Sequence, residues 1–540
     1  MLKALDPSLV PSSYALQPPL NLLSPSSLGD NLCAMPKRCA ADLILSNGRI
    51  ITLDEPGRAE ALAVSGGRIA ALGSAEELRA LAGEGTETID LRGKTVLPGF
   101  IDAHTHLVST GLIETLYLDL VEARSLEELL ELVRAAVEKR AKGEWLIGRG
   151  WEESHWPEQR YVTRQDLDRV APDSPVALFR IDGHLLAVNS QALKLVKLPE
   201  ALLGGAGLEQ GLLRENAAWW FHDRIEPGIE EIERALVSAI ELAHSLGITS
   251  VHEIVKPSYI RAYQELQPKL RVYLNPKIEY AEELFKLGLE GGFGNEWLRL
   301  GGIKLFADGS IGAGNAALIE PYRDRTGRGR LNYEPEELFQ IVQRAHEHGW
   351  QVMTHAIGDR AIDAVLDAYE QAGIGPDDRY RIEHFELASD EQLERAAQLG
   401  VIASMQPNFV KWARPGDLYE TRLGAERARQ IGPHRLVLDN GIHLACGSDC
   451  MPLSPLFGIH QAVNAPYPDQ RLTVEEALRC YTLGGAYTSS EEELKGSIAL
   501  GKLADIIVLS ADPCSHPEEI ENMQVEMTFV GGELVFSRPR

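Results

Sequence analysis

The chain has 540 residues, of which 44% are hydrophobic and 24% are charged, and its formal net charge is −26. These proportions are typical of a soluble globular protein, and the length predicts one large domain with a smaller domain or an insertion. The acidic excess argues against nucleic acids and anionic membrane surfaces as partners, because both favour basic patches. No apolar run is long enough to cross a bilayer.

The cysteine content indicates the redox state of the compartment in which the protein is found. Six cysteines are spread unevenly along the chain, a pattern that does not form a disulfide framework. We therefore predict a reducing, cytoplasmic location.

Residues 1–40 are rich in Ser, Pro and Leu and predict a flexible N-terminal extension. Either a disordered tail or an upstream start codon ahead of Met35 explains this segment.

Short β runs separated by turn residues occupy both ends of the remaining chain. An Asn-Gly pair at residues 47–48 lies between two such runs and is a strong hairpin signal. Similar runs return over residues 506–509 and 527–535. We predict one small β domain assembled from residues 41–96 and 497–540.

A strand that ends in two histidines follows the first β region. The apolar residues 95–97 and the break at Pro98 lead to His104, Thr105 and His106. Alternate side chains of a strand point to the same face, so the two imidazoles project together. The pair predicts half of a metal site, whose other ligands lie elsewhere in the chain.

Strand-like runs alternate with helical segments through the centre of the chain. Helical periodicity is found over residues 125–142, 230–246, 335–348 and 391–399. The strand-like runs cover residues 145–148, 176–179, 249–252, 271–274, 303–306, 351–355, 380–384, 401–405 and 443–446. This alternation is typical of parallel βα units, and we predict a (β/α)8 barrel with insertions over residues 97–496.

Four further polar residues lie at or near the ends of these predicted strands. His355 and Asp449 each follow a largely apolar run, His384 ends the strand-like run 380–384, and Lys304 lies within an apolar run. Active sites of such barrels lie at the carboxyl ends of the strands. A lysine buried in a strand is costly unless it is paired or modified. Together with the histidine pair, these residues form a much stronger signal than any one of them alone.

The chemistry of this set is coherent. Imidazole and carboxylate groups suit a divalent metal, above all Zn²⁺, with one or two ions bound. A neutral Lys304 can add CO2 and become a carboxylated lysine able to bridge two cations. A bound water falls from a pKa of about 15.7 to about 7, which supplies hydroxide at neutral pH. Asp449 could hold the metal, take the proton from that water and deliver it to the leaving group.

Other histidines and cysteines have simpler interpretations. His346 and His348 lie two apart in a predicted helix and point to nearly opposite sides. His252 lies at a strand end and is a weaker candidate for the site. Cys446 and Cys450 flank Asp449, but paired-cysteine zinc spacing is absent elsewhere, so buried thiols are the default interpretation.

Several longer motifs resemble those of the amidohydrolase superfamily, and specifically its amidohydrolase 3 branch, which includes N-substituted formamide deformylase. The match runs in order from about residue 41 to 536. The segments that carry it are residues 98–106, 304–310, 354–360, 381–384, 405–407, 447–449 and 501–509.

The resemblance implies a TIM-like barrel, a composite β-sandwich from both termini and hydrolysis of C–N bonds. By position it makes metal ligands of the six residues His104, His106, Lys304, His355, His384 and Asp449. It places Lys304 on the fourth barrel strand and a large insertion, about residues 145–245, after the first. It also implies substrate-binding roles for Trp151, His184 and Asp308. Relatives often carry an arginine in the glycine-rich loop after Asp308, and residues 312–315 contain none.

The leading hypothesis is a metal-dependent hydrolase of amide, N-acyl or N-formyl bonds in small molecules. A deaminase or an ester hydrolase on the same metal centre is an alternative, because a fold does not determine the substrate. A non-catalytic scaffold would have lost ligands, and all six positions are occupied. Homo-oligomerisation is left open by the sequence.

Overall fold

The computed structural model describes residues 40–539 except residues 182, 184, 204–206, 215, 223 and 226. The predicted flexible extension therefore lies outside the described residues, apart from Ala40. Within the described part of the chain, no helix is long and apolar enough to span a bilayer.

Strands from the two ends of the chain share one sheet. The strands before the histidine pair are β1 (Leu43–Ser46), β2 (Arg49–Ile51), β3 (Arg58–Ala59), β4 (Ala61–Ser65), β5 (Arg68–Gly73), β6 (Glu87–Asp90) and β7 (Thr95–Pro98). A four-stranded sheet has the order β5-β4-β1-β6. A six-stranded sheet combines β3, β2 and β7 with three strands close to the C-terminus, antiparallel to β7 at their junction. Strands from both ends of the described chain thus pair in one sheet, and the central region lies between them in the sequence.

The central region is built from parallel strands alternating with helices. Its strands are β8 (Phe100–Thr105), β9 (Leu118–Asp119), β10 (Leu146–Trp151), β11 (Val176–Arg180), β12 (Leu185–Val188), β13 (Leu212–Arg214), β14 (Ile248–Val255), β15 (Arg271–Pro276), β16 (Leu298–Leu300), β17 (Ile303–Phe306), β18 (Val352–Ala356), β19 (Arg381–His384), β20 (Ile402–Met405) and β21 (Leu444–Cys446), and the C-terminal strands are β22 (Ile506–Leu509), β23 (Val525–Val530) and β24 (Glu533–Ser537).

The helices that accompany these strands are mostly amphipathic. They are α1 (Ala75–Arg79), α2 (Leu107–Thr115), α3 (Leu126–Glu138), α4 (Arg164–Val170), α5 (Ser190–Leu195), α6 (Glu200–Leu203), α7 (Asn216–His222), α8 (Ile229–Ser245), α9 (Pro257–Leu266), α10 (Ala281–Lys286), α11 (Pro335–Glu347), α12 (Asp359–Gln371), α13 (Asp390–Leu399), α14 (Leu418–Leu423), α15 (Ala425–Arg429), α16 (His434–Asp439), α17 (Pro455–Val463), α18 (Val474–Arg479) and α19 (Gly485–Thr488). On α8, Ile232, Leu236 and Ile240 are buried, at the spacing of one helix face.

Two parallel sheets form the centre of the molecule. One has the order β16-β15-β14-β8, the other runs β17-β18-β19-β20-β21, and every neighbouring pair is parallel. An isolated parallel bridge pairs Lys277, just after β15, with Lys304 on β17. The described residues show two open sheets and not one closed sheet, and their strand–helix alternation confirms an α/β fold.

A third sheet lies in the chain between β8 and β14. Its order is β13-β12-β11-β10-β9, and it has its own apolar core, which includes Leu129, Trp151 and Leu178. Its first strand precedes residue 145, the predicted start of the insertion. The short strand β9 carries too little periodicity to be recognised in the sequence.

A buried ion pair joins the central region to the six-stranded sheet. Arg271, the first residue of β15, is 1% exposed and donates to both carboxylate oxygens of Asp505, at 2.6 and 2.9 Å. Asp505 directly precedes β22 and also accepts the backbone N–H of Gly531. A bidentate Arg–carboxylate contact fixes orientation as well as distance.

We predict that Asp505→Asn lowers the free energy of unfolding by about 3–5 kcal/mol, because the buried Arg271 guanidinium loses its bidentate counter-charge and keeps only Glu296, at 3.7 Å. Urea denaturation measures the change. The control is Asp173→Asn, which breaks the exposed pair with Lys142 and is expected to leave the urea midpoint unchanged. Equal effects of the two substitutions would contradict the prediction.

Candidate metal centre

The histidine pair is held at the junction of β8 and α2. His104 lies in β8, and His106 is the residue that directly precedes the first turn of α2. The buried Glu253 accepts the backbone N–H groups of Leu107 and Val108, at 2.7 and 3.1 Å. A carboxylate at a helix N-terminus accepts hydrogen bonds from the free N–H groups, and its negative charge interacts favourably with the positive end of the helix dipole. Glu253 therefore fixes the direction in which the chain leaves the histidine pair.

Backbone contacts tie the end of β8 to the loop after β21. Asp102 Oδ1 accepts the N–H groups of His104 and Ser448, at 3.2 and 2.9 Å. The N–H of Asp449 donates to the carbonyl of His104 at 3.0 Å. A Cβ on Gly447 would lie 2.5 Å from the backbone nitrogen of His104. Only glycine allows the two segments to approach this closely.

This approach brings Asp449 to both histidines. Asp449 Oδ1 lies 3.2 Å from His106 Nε2 and 3.7 Å from His104 Nε2. One ligand atom from each of the three residues lies within 4.8 Å of the others.

His355 and His384 lie beside this trio. The His384 ring is 5.0 Å from the ring of His104 and 4.4 Å from that of His355, centroid to centroid. His355 Nε2 contacts the carbonyl of Gly309 at 3.1 Å, which leaves its Nδ1 for another partner. His384 Nδ1 is buried and has no hydrogen-bond partner among the described residues. The aromatic ring of Phe409 lies parallel to His384 at 6.0 Å.

Lys304 completes the set of predicted ligands. The side chain is fully buried, and its Nζ has no hydrogen-bond partner in the described part of the chain. Burial lowers the pKa of Lys304 to about 8, although the charges of Glu383 and Asp449 act in the opposite direction. Near neutral pH the amine therefore has an appreciable uncharged fraction.

The pKa shifts of these groups favour the binding of a cation. Burial lowers the pKa of His355 to about 3 and that of His384 well below its ordinary value. Burial and the charge of Lys304 also lower the pKa of His104. Burial acts to raise the pKa of Asp449, but the hydrogen bond from His106 and the positive charge of Lys304 help to lower it overall. Neutral imidazoles and an ionised carboxylate are the protonation states in which these groups bind metals.

The residues present fit a divalent metal. Imidazole nitrogens and a carboxylate converge, and the buried, unpartnered Nδ1 of His384 and Nζ of Lys304 need a partner. Such orphaned polar groups are costly in a protein interior, and a bound cation would offset the cost at His384.

The residues predicted to bind substrate have different surroundings. Trp151 is fully buried in the third sheet, where its indole N–H donates to the carbonyl of Leu178 at 3.0 Å and its ring packs against Trp156. These contacts place the ring in an apolar core, and a role in substrate binding remains a prediction. His184 lies outside the described residues.

Asp308 organises the glycine-rich loop. Its carboxylate accepts backbone N–H groups of Ala317, Ile357 and Gly358, at 2.9 to 3.1 Å, and lies 3.5 Å from His355 Nε2. Burial raises the pKa of Asp308 to about 7, against the lowering effect of these N–H donors. The contacts show a carboxylate that positions the loop and His355, and its contact with substrate remains a prediction.

The sequence reasoning missed a buried ion pair next to the histidines. Glu383 contacts His104 Nδ1, and its Oε1 lies 2.8 Å from Nε of Arg381. Both side chains are fully buried. Two opposite charges at alternate positions of the strand that ends in His384 were the available signal. The weaker candidate His252 contacts Arg381 through Nδ1 at 3.0 Å.

Comparisons with known proteins agree with this geometry. Residues 87–536 match the description of the amidohydrolase family, and residues 61–82 match an imidazolonepropionase-like composite domain of bacteria. Protein LONG AFTER FAR-RED 3 of Arabidopsis thaliana is 32% identical over 97% of this chain and 96% of its own length. The N-substituted formamide deformylase of Arthrobacter pascens is 32% identical over 92% of this chain and 98% of its own length.

A solved structure extends the likeness to three dimensions. An uncharacterized metal-dependent hydrolase from Pyrococcus furiosus is 33% identical, with a TM-score of 0.76 over 87% of this chain and 99% of that one. The family predicted from the sequence motifs is thereby confirmed: the chain belongs to the amidohydrolase family of metal-dependent enzymes that hydrolyse carbon–nitrogen bonds.

Proposed function

We propose that this enzyme hydrolyses amide bonds of N-acyl or N-formyl type in small molecules, at a centre of one or two metal ions, with zinc as the metal. The residues that would hold the metal are His104, His106, Lys304, His355, His384 and Asp449. The observation that carries the proposal is the meeting of the four histidines and Asp449 at the ends of separate parallel strands. The name of the Arthrobacter relative supports the N-formyl class.

We also propose that the two parallel sheets are parts of one (β/α)8 barrel. The bridge between Lys277 and Lys304 and the contact between Asp449 and His104 support closure on its two open sides. Residues 41–96 and 497–540 would then form the composite β-sandwich, and residues of about 145–245 the insertion. The cytoplasmic location stays a prediction, and the oligomeric state stays open.

The chemistry divides between the metal and the residues of the chain. A bound divalent ion supplies a Lewis acid for the scissile carbonyl and lowers the pKa of water. Asp449, whose pKa is lowered overall and whose carboxylate lies 3.2 Å from His106, accepts the proton of the attacking water and delivers it to the leaving nitrogen. Asp308 holds the loop beside His355 in place.

Lys304 is proposed to be carboxylated. Its neutral amine attacks CO2, a nitrogen–carbon bond forms, and a proton leaves to solvent. The product is an anionic carbamate at a position where the unmodified amine has no hydrogen-bond partner in the described residues. A nearby metal charge favours the anionic form.

A substrate panel tests the proposed function. The metal-loaded enzyme is expected to release amine from N-formyl or N-acetyl compounds, and removal of the metal with a chelator should abolish the activity. Cyclic imides, esters and aminopurines complete the panel. Activity restricted to esters or to aminopurines would overturn the assignment in favour of an ester hydrolase or a deaminase.

We predict that Asp449→Asn lowers kcat by about 10²- to 10⁴-fold, because an amide cannot accept the proton of the attacking water. Steady-state kinetics at fixed metal occupancy, checked by metal analysis of each preparation, measures the loss. Asp439→Asn, at an exposed position of α16, is the matched control and should retain wild-type kcat. An unchanged kcat in Asp449→Asn would remove the residue from the proposed mechanism.

Carboxylation of Lys304 should depend on pH in a defined direction. Only the neutral amine reacts with CO2, and the pKa of Lys304 is lowered to about 8. At equal dissolved CO2, uptake of isotopically labelled CO2 by the metal-free enzyme should be about tenfold faster at about pH 9 than at about pH 7. Lys304→Gln should take up no label at this position. Full activity of Lys304→Gln would refute a role for the carbamate.

A further inference from the structure

A chain of charged and polar side chains runs beneath the proposed metal centre. Glu383 contacts His104 Nδ1 on one side and Arg381 on the other, through Oε1 at 2.8 Å and Oε2 at 3.2 Å. Arg381 continues to His252 Nδ1 at 3.0 Å. Ser404 donates to Glu383 Oε2 at 2.8 Å. All five side chains are almost completely buried.

Donor and acceptor rules fix the protons along this chain. An ionised carboxylate only accepts hydrogen bonds, so the proton in the contact with Glu383 belongs to His104 Nδ1. The lone pair of that ring is then on Nε2, the nitrogen that lies 3.7 Å from Asp449. A guanidinium only donates, so His252 Nδ1 accepts from Arg381 and the His252 ring is neutral.

Arg381 is shaped to hold Glu383 in this orientation. Its planar fork also donates to the carbonyl of Ala103 at 2.6 Å, directly before His104 in the chain. The guanidinium therefore connects the backbone of the histidine strand to the carboxylate that contacts the histidine ring. A lysine has a single flexible point charge and cannot make these contacts at once.

We propose that Glu383 and Arg381 are positioning residues that fix the tautomer and ring orientation of His104, so that metal affinity depends on an ion pair that contacts no metal. The inference rests on the proposed function only in that His104 binds the metal. Glutamine at position 383 could present either its oxygen or its nitrogen to His104 and would accept either tautomer.

The test compares three variants: Glu383→Gln, the double variant Glu383→Gln/Arg381→Met, and Ser404→Ala as the matched control. Zinc affinity is measured by competition with a chromogenic chelator, and thermal stability by the Tm of the metal-free protein. Ser404→Ala removes one hydrogen bond to the same carboxylate oxygen and one from Arg381, but it keeps both charges.

Glu383→Gln should weaken zinc binding about 10- to 100-fold and lower Tm, because Arg381 remains buried without its counter-charge. The double variant should regain part of the lost Tm and keep the weakened zinc affinity, since the unpaired guanidinium is gone although Ala103 and His252 lose a donor. Ser404→Ala should stay within a few-fold of wild type in zinc affinity. The absorption spectrum of the cobalt-substituted protein should change in Glu383→Gln and not in Ser404→Ala.

Two results would overturn the inference. Wild-type zinc affinity in a folded Glu383→Gln or double variant would show that the pair does not position His104. Recovery of both Tm and zinc affinity in the double variant would make the pair purely structural. Amide hydrolysis by the wild type is measured in parallel. If it is absent while the zinc affinities of the variants are as expected, the proposed function is wrong and the inference about His104 still holds. A wild-type protein that binds no zinc would overturn both.

Discussion

The molecule depends on a close approach between β8, the first of its central parallel strands, and the loop that follows β21, the last of them. The N–H of Asp449 donates to the carbonyl of His104, and Asp102 accepts N–H groups from both segments. Gly447 makes this possible because a Cβ there would collide with the His104 backbone. Residues almost 350 positions apart are therefore held at hydrogen-bonding distance. This backbone constraint therefore brings the trio of His104, His106 and Asp449 together.

Burial then determines the protonation states of the gathered groups. Desolvation disfavours charged forms, so it lowers the pKa of His355 and His384 and also that of Lys304. Carboxylates remain ionised only where donors or positive charges surround them. Asp449 and Glu383 meet this condition, because hydrogen bonds and neighbouring positive charges lower the pKa of each by more than burial raises it. The same low-dielectric surroundings thus give neutral imidazoles and ionised acids side by side.

The sequence predicts the parts of this site that follow simple strand rules. His355 and Asp449 are predicted because each ends a short apolar run. The structure brings Asp449 to the histidine pair and His355 to His384, which lies beside His104. The role of Arg381 could not be found in this way, since its partners His252 and Ala103 lie on strands far away in the chain. Pairings between distant strands are determined by tertiary packing, and no local sequence pattern predicts them.

Glu383 shows a second limit of strand rules. Adjacent strand residues point to opposite faces, so a glutamate directly before the candidate ligand His384 should point away from the site. The backbone breaks this rule: His384 and Phe385 have φ values of 71° and 49°, in the left-handed region that L-residues rarely adopt. The turn lets His384 and Glu383 both approach His104. Such strain costs about 1–3 kcal/mol per residue and persists only where its surroundings enforce it. Here the N–H of Phe385 donates to the carbonyl of Ala356, so the neighbouring strand holds the turn that places a ligand and its positioning carboxylate together.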